Sequence, residues 1–149
     1  MLGKLLLVLT FSIANVYAYK VGDSLPQNVV NQLGLNDSKV YVIDFFASWC
    51  ASCKIELPLI SKLNNNINKS KYKIIGIDVD EELEEGKDFV KSLNLNFDII
   101  YDNENSLIEK FEPIGVPAIY YIKNNKVIKV IYGAVHNIDK KILDDLKGL

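Results

Sequence analysis

Hydrophobic positions in this chain recur in two periods, and their alternation lays out most of its elements. Residues 40–46, Val-Tyr-Val-Ile-Asp-Phe-Phe, are apolar but for one acid. A run of that length, rich in β-branched and aromatic side chains, predicts a central strand buried on both faces. From about residue 50 to residue 67 the spacing turns helical, with Ile55, Leu59, Ile60, Leu63 and Ile67 on one stripe. Pro58 falls inside that stretch and is expected to kink it. Residues 73–79 predict a second buried strand. Residues 80–86 form an acidic stretch leading into a helix that reaches about residue 93, with Phe89, Val90 and Leu93 inward. Residues 97–101 predict a third, short strand, and residues 103–111 a short helix with Asn103 as N-cap. Residues 118–123 and 126–132 flank Asn124-Asn125 and predict a β-hairpin. A final helix starts at Asn137 or Asp139, with Ile138, Ile142, Leu143 and Leu146 on one face. Residues 19–38 are mixed and polar, an irregular lead-in with a short helix near residues 28–33.

Strands alternating with helices argue a parallel sheet, and the closing hairpin adds antiparallel strands. The expected class is therefore α/β, a mixed central sheet with helices on both faces. At 149 residues and 49% hydrophobic content the chain suits one domain, over residues 19–149. A domain of that size folds without disulfide staples. The 17 basic residues are all lysine and face 19 acids. They are not clustered, which argues against a nucleic-acid partner. A monomer is expected.

The first 18 residues read as a secretory signal. Lys4 gives a positive start, residues 5–13 a short apolar core, and Val16-Tyr17-Ala18 the small residues a signal peptidase needs. The apolar run is shorter than the roughly 20 residues of a membrane span. Export to a periplasmic or other extracytoplasmic space is expected, with an uncleaved N-terminal anchor as the alternative.

Export changes how the two cysteines are read, because an oxidising compartment lets them pair. Cys50 and Cys53 enclose only Ala51 and Ser52. So small a loop gains little unfolded-state entropy on closure, which points to chemistry and not to a staple. The pair sits where a buried strand passes into a helix. Cys50 is then at the helix N-terminus, where free amides and the macrodipole favour a thiolate, the attacking species. Cys53, one turn deeper, would resolve the mixed disulfide. Zinc uses the same spacing but needs two further ligands, and the chain holds no other cysteine and one histidine, His136, in a loop. No G-x-G-x-x-G segment supports a nicotinamide or flavin, and no cofactor beyond the cysteine pair is expected.

Val42-Ile43-Asp44-Phe45-Phe46-Ala47-Ser48-Trp49-Cys50-x-x-Cys53-Lys54, with Pro58 beyond, resembles the active-site segment of the thioredoxin fold. Glu56 before Leu57-Pro58 resembles the TlpA/ResA-type branch, exported reductases of cytochrome c maturation and related thiol reduction. The segment 79–105 resembles the helix and strand inserted in that branch. The resemblance implies that Gly115-Val116-Pro117-Ala118 carries a cis Pro117, with the Val116 backbone turned toward a substrate strand. It implies that Asp44 is a buried acid accepting the proton of the resolving cysteine, and that Glu56 tunes cysteine acidity. Asparagine is frequent at the position of Asp44 in the TlpA-like branch, so this residue leans toward thioredoxin itself. Trp49 is expected to pack as a lid over the site and to meet substrate; Lys54 is expected at the surface. The acidic stretch from residue 78 to 85 is expected to be a solvated helix start. Two features depart from the pattern: the proline common before the second cysteine is replaced by Ser52, and the lead-in before residue 40 is short.

The partners implied are thiols and disulfides of exported proteins, with a membrane electron donor to recycle the dithiol. Two other readings share these residues. One is a disulfide-forming oxidase. The other is a Cu(I)-binding thiol chaperone, since two thiolates hold a soft metal; Cys-x-x-Cys spacing and Pro117 argue against it.

Overall fold

The computed structural model describes residues 18–149. Of the signal expected over residues 1–18, residues 1–17 lie outside the described residues. Among those described, no helix is long and apolar enough to cross a membrane.

The element order is α1 (Gln27–Leu33), β1 (Val40–Phe46), α2 (Ala51–Asn64), β2 (Tyr72–Asp78), α3 (Leu83–Ser92), β3 (Asp98–Tyr101), α4 (Ile108–Phe111), β4 (Ala118–Lys123), β5 (Lys126–Tyr132) and α5 (Ile138–Lys147). Five strands form one sheet in the order β3-β2-β1-β4-β5. β1 runs parallel to β2 and β2 to β3, while β4 is antiparallel to both β1 and β5. This is the mixed α/β sheet the alternation of periods implies.

Every residue of β1 is buried. Its alternate side chains feed two cores, as a strand covered on both faces requires. Val40, Val42 and Phe46 meet Cys53, Leu57, Ile60 and Leu63 of α2 and Ile138, Ile142 and Leu146 of α5. Tyr41, Ile43 and Phe45 meet Val29, Val30 and Leu33 of α1, together with Leu107 and Phe111. Asp44 lies on the first of these faces, in register with Gly76 of β2 and Ile119 of β4. The hairpin turns on Asn124 and Asn125, both at positive φ, which a tight turn matched to strand twist demands and asparagine tolerates. The lead-in covers the first residues of the outer edge of β5. The Gly22 N–H donates to the Val127 carbonyl at 2.8 Å, and the Val127 N–H to the Asp23 carbonyl at 2.9 Å. The start of that edge is thus closed to further strand pairing.

Four expectations are corrected. The helix expected over 50–67 ends at Asn64, and Ile55, counted in its apolar stripe, is 71% exposed. Leu143 of α5 is likewise exposed rather than buried with Ile142. The helix expected over 103–111 shrinks to Ile108–Phe111, with Leu107 and not Asn103 at its N-cap position. The Asp102 carboxylate accepts from the backbone N–H groups of Leu107 and Ile108 and from the Ser106 hydroxyl. The acidic stretch is not solvated throughout: Asp78 is 1% and Asp80 2% exposed.

Candidate active site

The C-terminal end of β1 delivers the chain into the site. The Cys50 N–H bonds back to the Ala47 carbonyl at 3.2 Å, so Ala47 to Cys50 form a turn with Ser48 and Trp49 at its corner. α2 begins immediately after, and Cys50 is its N-cap residue in extended conformation. The Cys53 N–H donates to Cys50 Sγ at 3.2 Å, in the way a serine or aspartate caps a helix. Ser52 Oγ stands 3.5 Å from the same sulfur. Cys50 and Cys53 are joined as a disulfide, with Cα atoms 5.3 Å apart. Two amide or hydroxyl donors at a helix N-terminus thus converge on the sulfur that would carry charge once the bond is reduced.

Two buried carboxyls, Asp44 and Glu56, lie on the side of the sheet that carries the disulfide. Asp44 is 2% exposed and its Oδ1 finds no hydrogen-bond partner. Burial, and then the neighbouring Glu56 charge, push its carboxyl well above the usual aspartate range. Glu56, on α2 one turn past Cys53, is buried too, and its Oε1 accepts the Val135 N–H at 2.5 Å. Burial raises its pKa and that hydrogen bond partly offsets the rise. The bond also fastens α2 to the loop between β5 and α5. The α2 helix runs on through Pro58, which is exposed.

The Val116–Pro117 peptide bond is cis. Val116 packs against both cores, including the one containing Cys50 and Cys53, and Pro117 is buried at the start of β4. Trp49, next to Cys50 in the turn, is 69% exposed. Ile114, in the loop before Pro117, is also exposed. Lys54 and His136 lie at the surface.

Sequence reasoning missed Ser48 and Asp80. The Asp80 carboxylate accepts the Ser48 N–H at 2.8 Å and the Ser48 hydroxyl at 2.7 Å, clamping the turn that carries Cys50. The residues are 32 positions apart, and no local pattern joins them.

The family model for AhpC/TSA proteins matches residues 24–131. The thiol-disulfide oxidoreductase ResA of Bacillus thuringiensis subsp. konkukian is 30% identical over 122 residues, 76% of this chain and 70% of that protein. ResA of Oceanobacillus iheyensis is 25% identical over 142 residues, covering 87% of this chain and 71% of its own. Among solved structures, a Chlorobium tepidum protein assigned as thiol:disulfide interchange protein DsbE superposes with a TM-score of 0.75 at 16% identity, over 87% of this chain and 97% of that one. StoA of Bacillus subtilis gives 0.65 at 21% identity, over 75% and 84%. With a disulfide capping a helix at the end of a central strand, in a sheet of this order, the chain belongs to the AhpC/TSA family of thioredoxin-like proteins and is a ResA-like thiol-disulfide oxidoreductase.

Proposed function

We propose that this protein is exported and works as a dithiol reductase of extracytoplasmic proteins. The disulfides of cytochrome c precursors rank first among its substrates, on the resemblance of residues 42–58 to exported reductases. The observation that carries the reading is the placing of Cys50 Sγ under the Cys53 N–H with two buried carboxyls on the same side of the sheet.

In the reduced protein, Cys50 is the nucleophile. Its thiolate attacks one sulfur of a substrate disulfide, forming a Cys50–substrate bond and expelling the other substrate sulfur as a thiolate. Cys53 then gives its proton to Asp44, with Glu56 adjusting the affinity of that site for the proton. The Cys53 thiolate attacks Cys50 Sγ and releases the second substrate sulfur. Two electrons pass from the protein dithiol to the substrate, which leaves as a dithiol, and Cys50–Cys53 is oxidised. A carboxyl whose acidity is shifted toward neutrality by burial exchanges a proton with a thiol at small cost, which is what the second step needs. The exposed faces of Trp49 and Ile114 and the Val116 backbone would receive an extended substrate segment. A membrane dithiol donor would restore the reduced state.

One observation favours the opposite direction. Each donor to the Cys50 sulfur stabilises the thiolate, and hence the reduced form, which makes a couple more oxidising. Ser52 adds such a donor where the common proline has none. The reduction potential of the couple, measured in glutathione and dithiothreitol buffers with Trp49 fluorescence as reporter, separates the two. A value near or below about −270 mV supports the reductase, and one near about −120 mV overturns it for a disulfide-forming oxidase.

A further inference from the structure

The carboxyl of Asp78 is enclosed on every side. It lies at the end of β2 on the same sheet face as Asp44, in register with Phe46 of β1 and Tyr101 of β3. Its Oδ2 abuts Gly86 of α3 so closely that a Cβ there would lie 1.7 Å away. Its Oδ1 finds no hydrogen-bond partner. Asp80, two residues on, is equally buried and is spent on Ser48. Among the described residues, neither acid has a lysine within ion-pair distance. Two adjoining carboxylates in such a site cannot both ionise cheaply.

We propose that Asp78 and Asp80 share one proton and together hold the turn from Ala47 to Cys50, making Asp80 a positioning residue for thiol–disulfide exchange. The inference rests on Cys50 being the attacking thiolate. Protonated Asp78 donates to Asp80, whose carboxyl accepts both Ser48 donors. That fixes the corner of the turn, and so the position of Cys50 at the cap of α2. Burial, and then the hydrogen bond and charge of Asp80, push Asp78 up to about 7. Other titratable groups around the pair are Tyr101 on β3, Lys87 on α3 and Asp44 on β1. As the pH rises through about 7, Asp78 ionises, Asp80 loses its donor, and the turn loosens.

The test uses the full chain, in two readouts. In the oxidised protein, the Ser48 amide is followed by nitrogen-15 NMR from acid to alkaline pH. Its proton resonance should titrate with a midpoint near pH 7. In Asp78→Asn, whose amide donates permanently, the resonance should hold its acid-side position throughout. In the reduced protein, iodoacetamide alkylation of Cys50 is followed against pH in wild type and in Ser48→Ala, which removes only a hydroxyl from a half-buried site. Ser48→Ala should slow alkylation below neutrality about three- to tenfold and move its midpoint upward. A flat Ser48 resonance, an inflection that survives Asp78→Asn, or a Ser48→Ala alkylation profile equal to wild type would each overturn the proposal. A wild type whose Cys50 fails to alkylate faster than a free thiol would sink the nucleophile assignment instead, and the Ser48 titration would still judge the carboxyl pair.

Discussion

The Cys53 backbone N–H points at Cys50 Sγ from 3.2 Å, so the resolving residue also supports the charge of the residue it resolves. A free thiol has a pKa of about 8.5, and a helix N-terminus lowers it toward or below neutrality. The reduced protein should therefore show thiolate absorbance at 240 nm well below that value, from one sulfur only. Cys53→Ser should keep this signal and accumulate a mixed disulfide with substrate, visible on non-reducing gels. Cys50→Ser should lose both. Equal accumulation in the two variants would reverse the assigned roles.

Ser52 Oγ, at 3.5 Å from the same sulfur, is a longer and weaker contact than the amide. Ser52→Ala should slow Cys50 alkylation at pH 6 by about two- to fivefold, the scale of a weak bond to a charged group. The same loss of thiolate stabilisation should make the couple more reducing by about 10–20 mV. A potential that rises would show that the hydroxyl supports the disulfide state.

Asp44 accepts a proton only when ionised, and burial delays that ionisation. Collapse of the mixed disulfide should therefore slow in wild type as the pH falls through the raised pKa of Asp44. In Asp44→Asn it should be slower and free of that inflection, measured by release of a fluorescent thiol from a trapped intermediate. An unchanged profile would leave Glu56 as the acceptor.

Asp44, Glu56 and Asp78 all have raised pKa values, so they bind protons more tightly folded than unfolded. Their contribution to stability is complete below about pH 4 and is lost as the pH rises through each folded value. For Asp78 that window runs from about 4 to about 7 and involves on the order of 4 kcal/mol. Asp145 runs the other way: Lys129, Lys141 and Tyr121 hold its carboxyl below the usual range, so its contribution is lost in acid. Urea midpoints should fall between pH 5 and 8 in wild type and fall less steeply in Asp78→Asn. A wild-type midpoint that climbs over this range would contradict the buried-acid arrangement.

Gly86→Ala sets two effects against each other. Alanine gains about 1 kcal/mol in a helix interior. The new Cβ would lie 1.7 Å from Asp78 Oδ2, which has no room to retreat, and overpacking costs about 1–3 kcal/mol. The clash should win, lowering the denaturant midpoint. A more stable variant would mean that the carboxyl moves freely.

The order of strands and helices, the hairpin at Asn124-Asn125 and the cysteine pair at a strand-to-helix junction were legible in the sequence, because each is set by local periodicity or by a turn with few solutions. So was the burial of Asp44, an acid inside a seven-residue apolar run. The chain could not reveal its long-range pairings in the same way. Asp80 in an acidic stretch looks like any solvated helix start; only the parallel pairing of β1 and β2 brings it to Ser48. Asp102 and not Asn103 holds the start of α4 because its carboxylate reaches three donors, which depends on where β3 ends. Ile55 is apolar by composition yet exposed, since α2 turns it away from the sheet, and Trp49 is exposed at the corner of the turn before α2. Periodicity states which residues seek cover, and tertiary packing decides which of them obtain it.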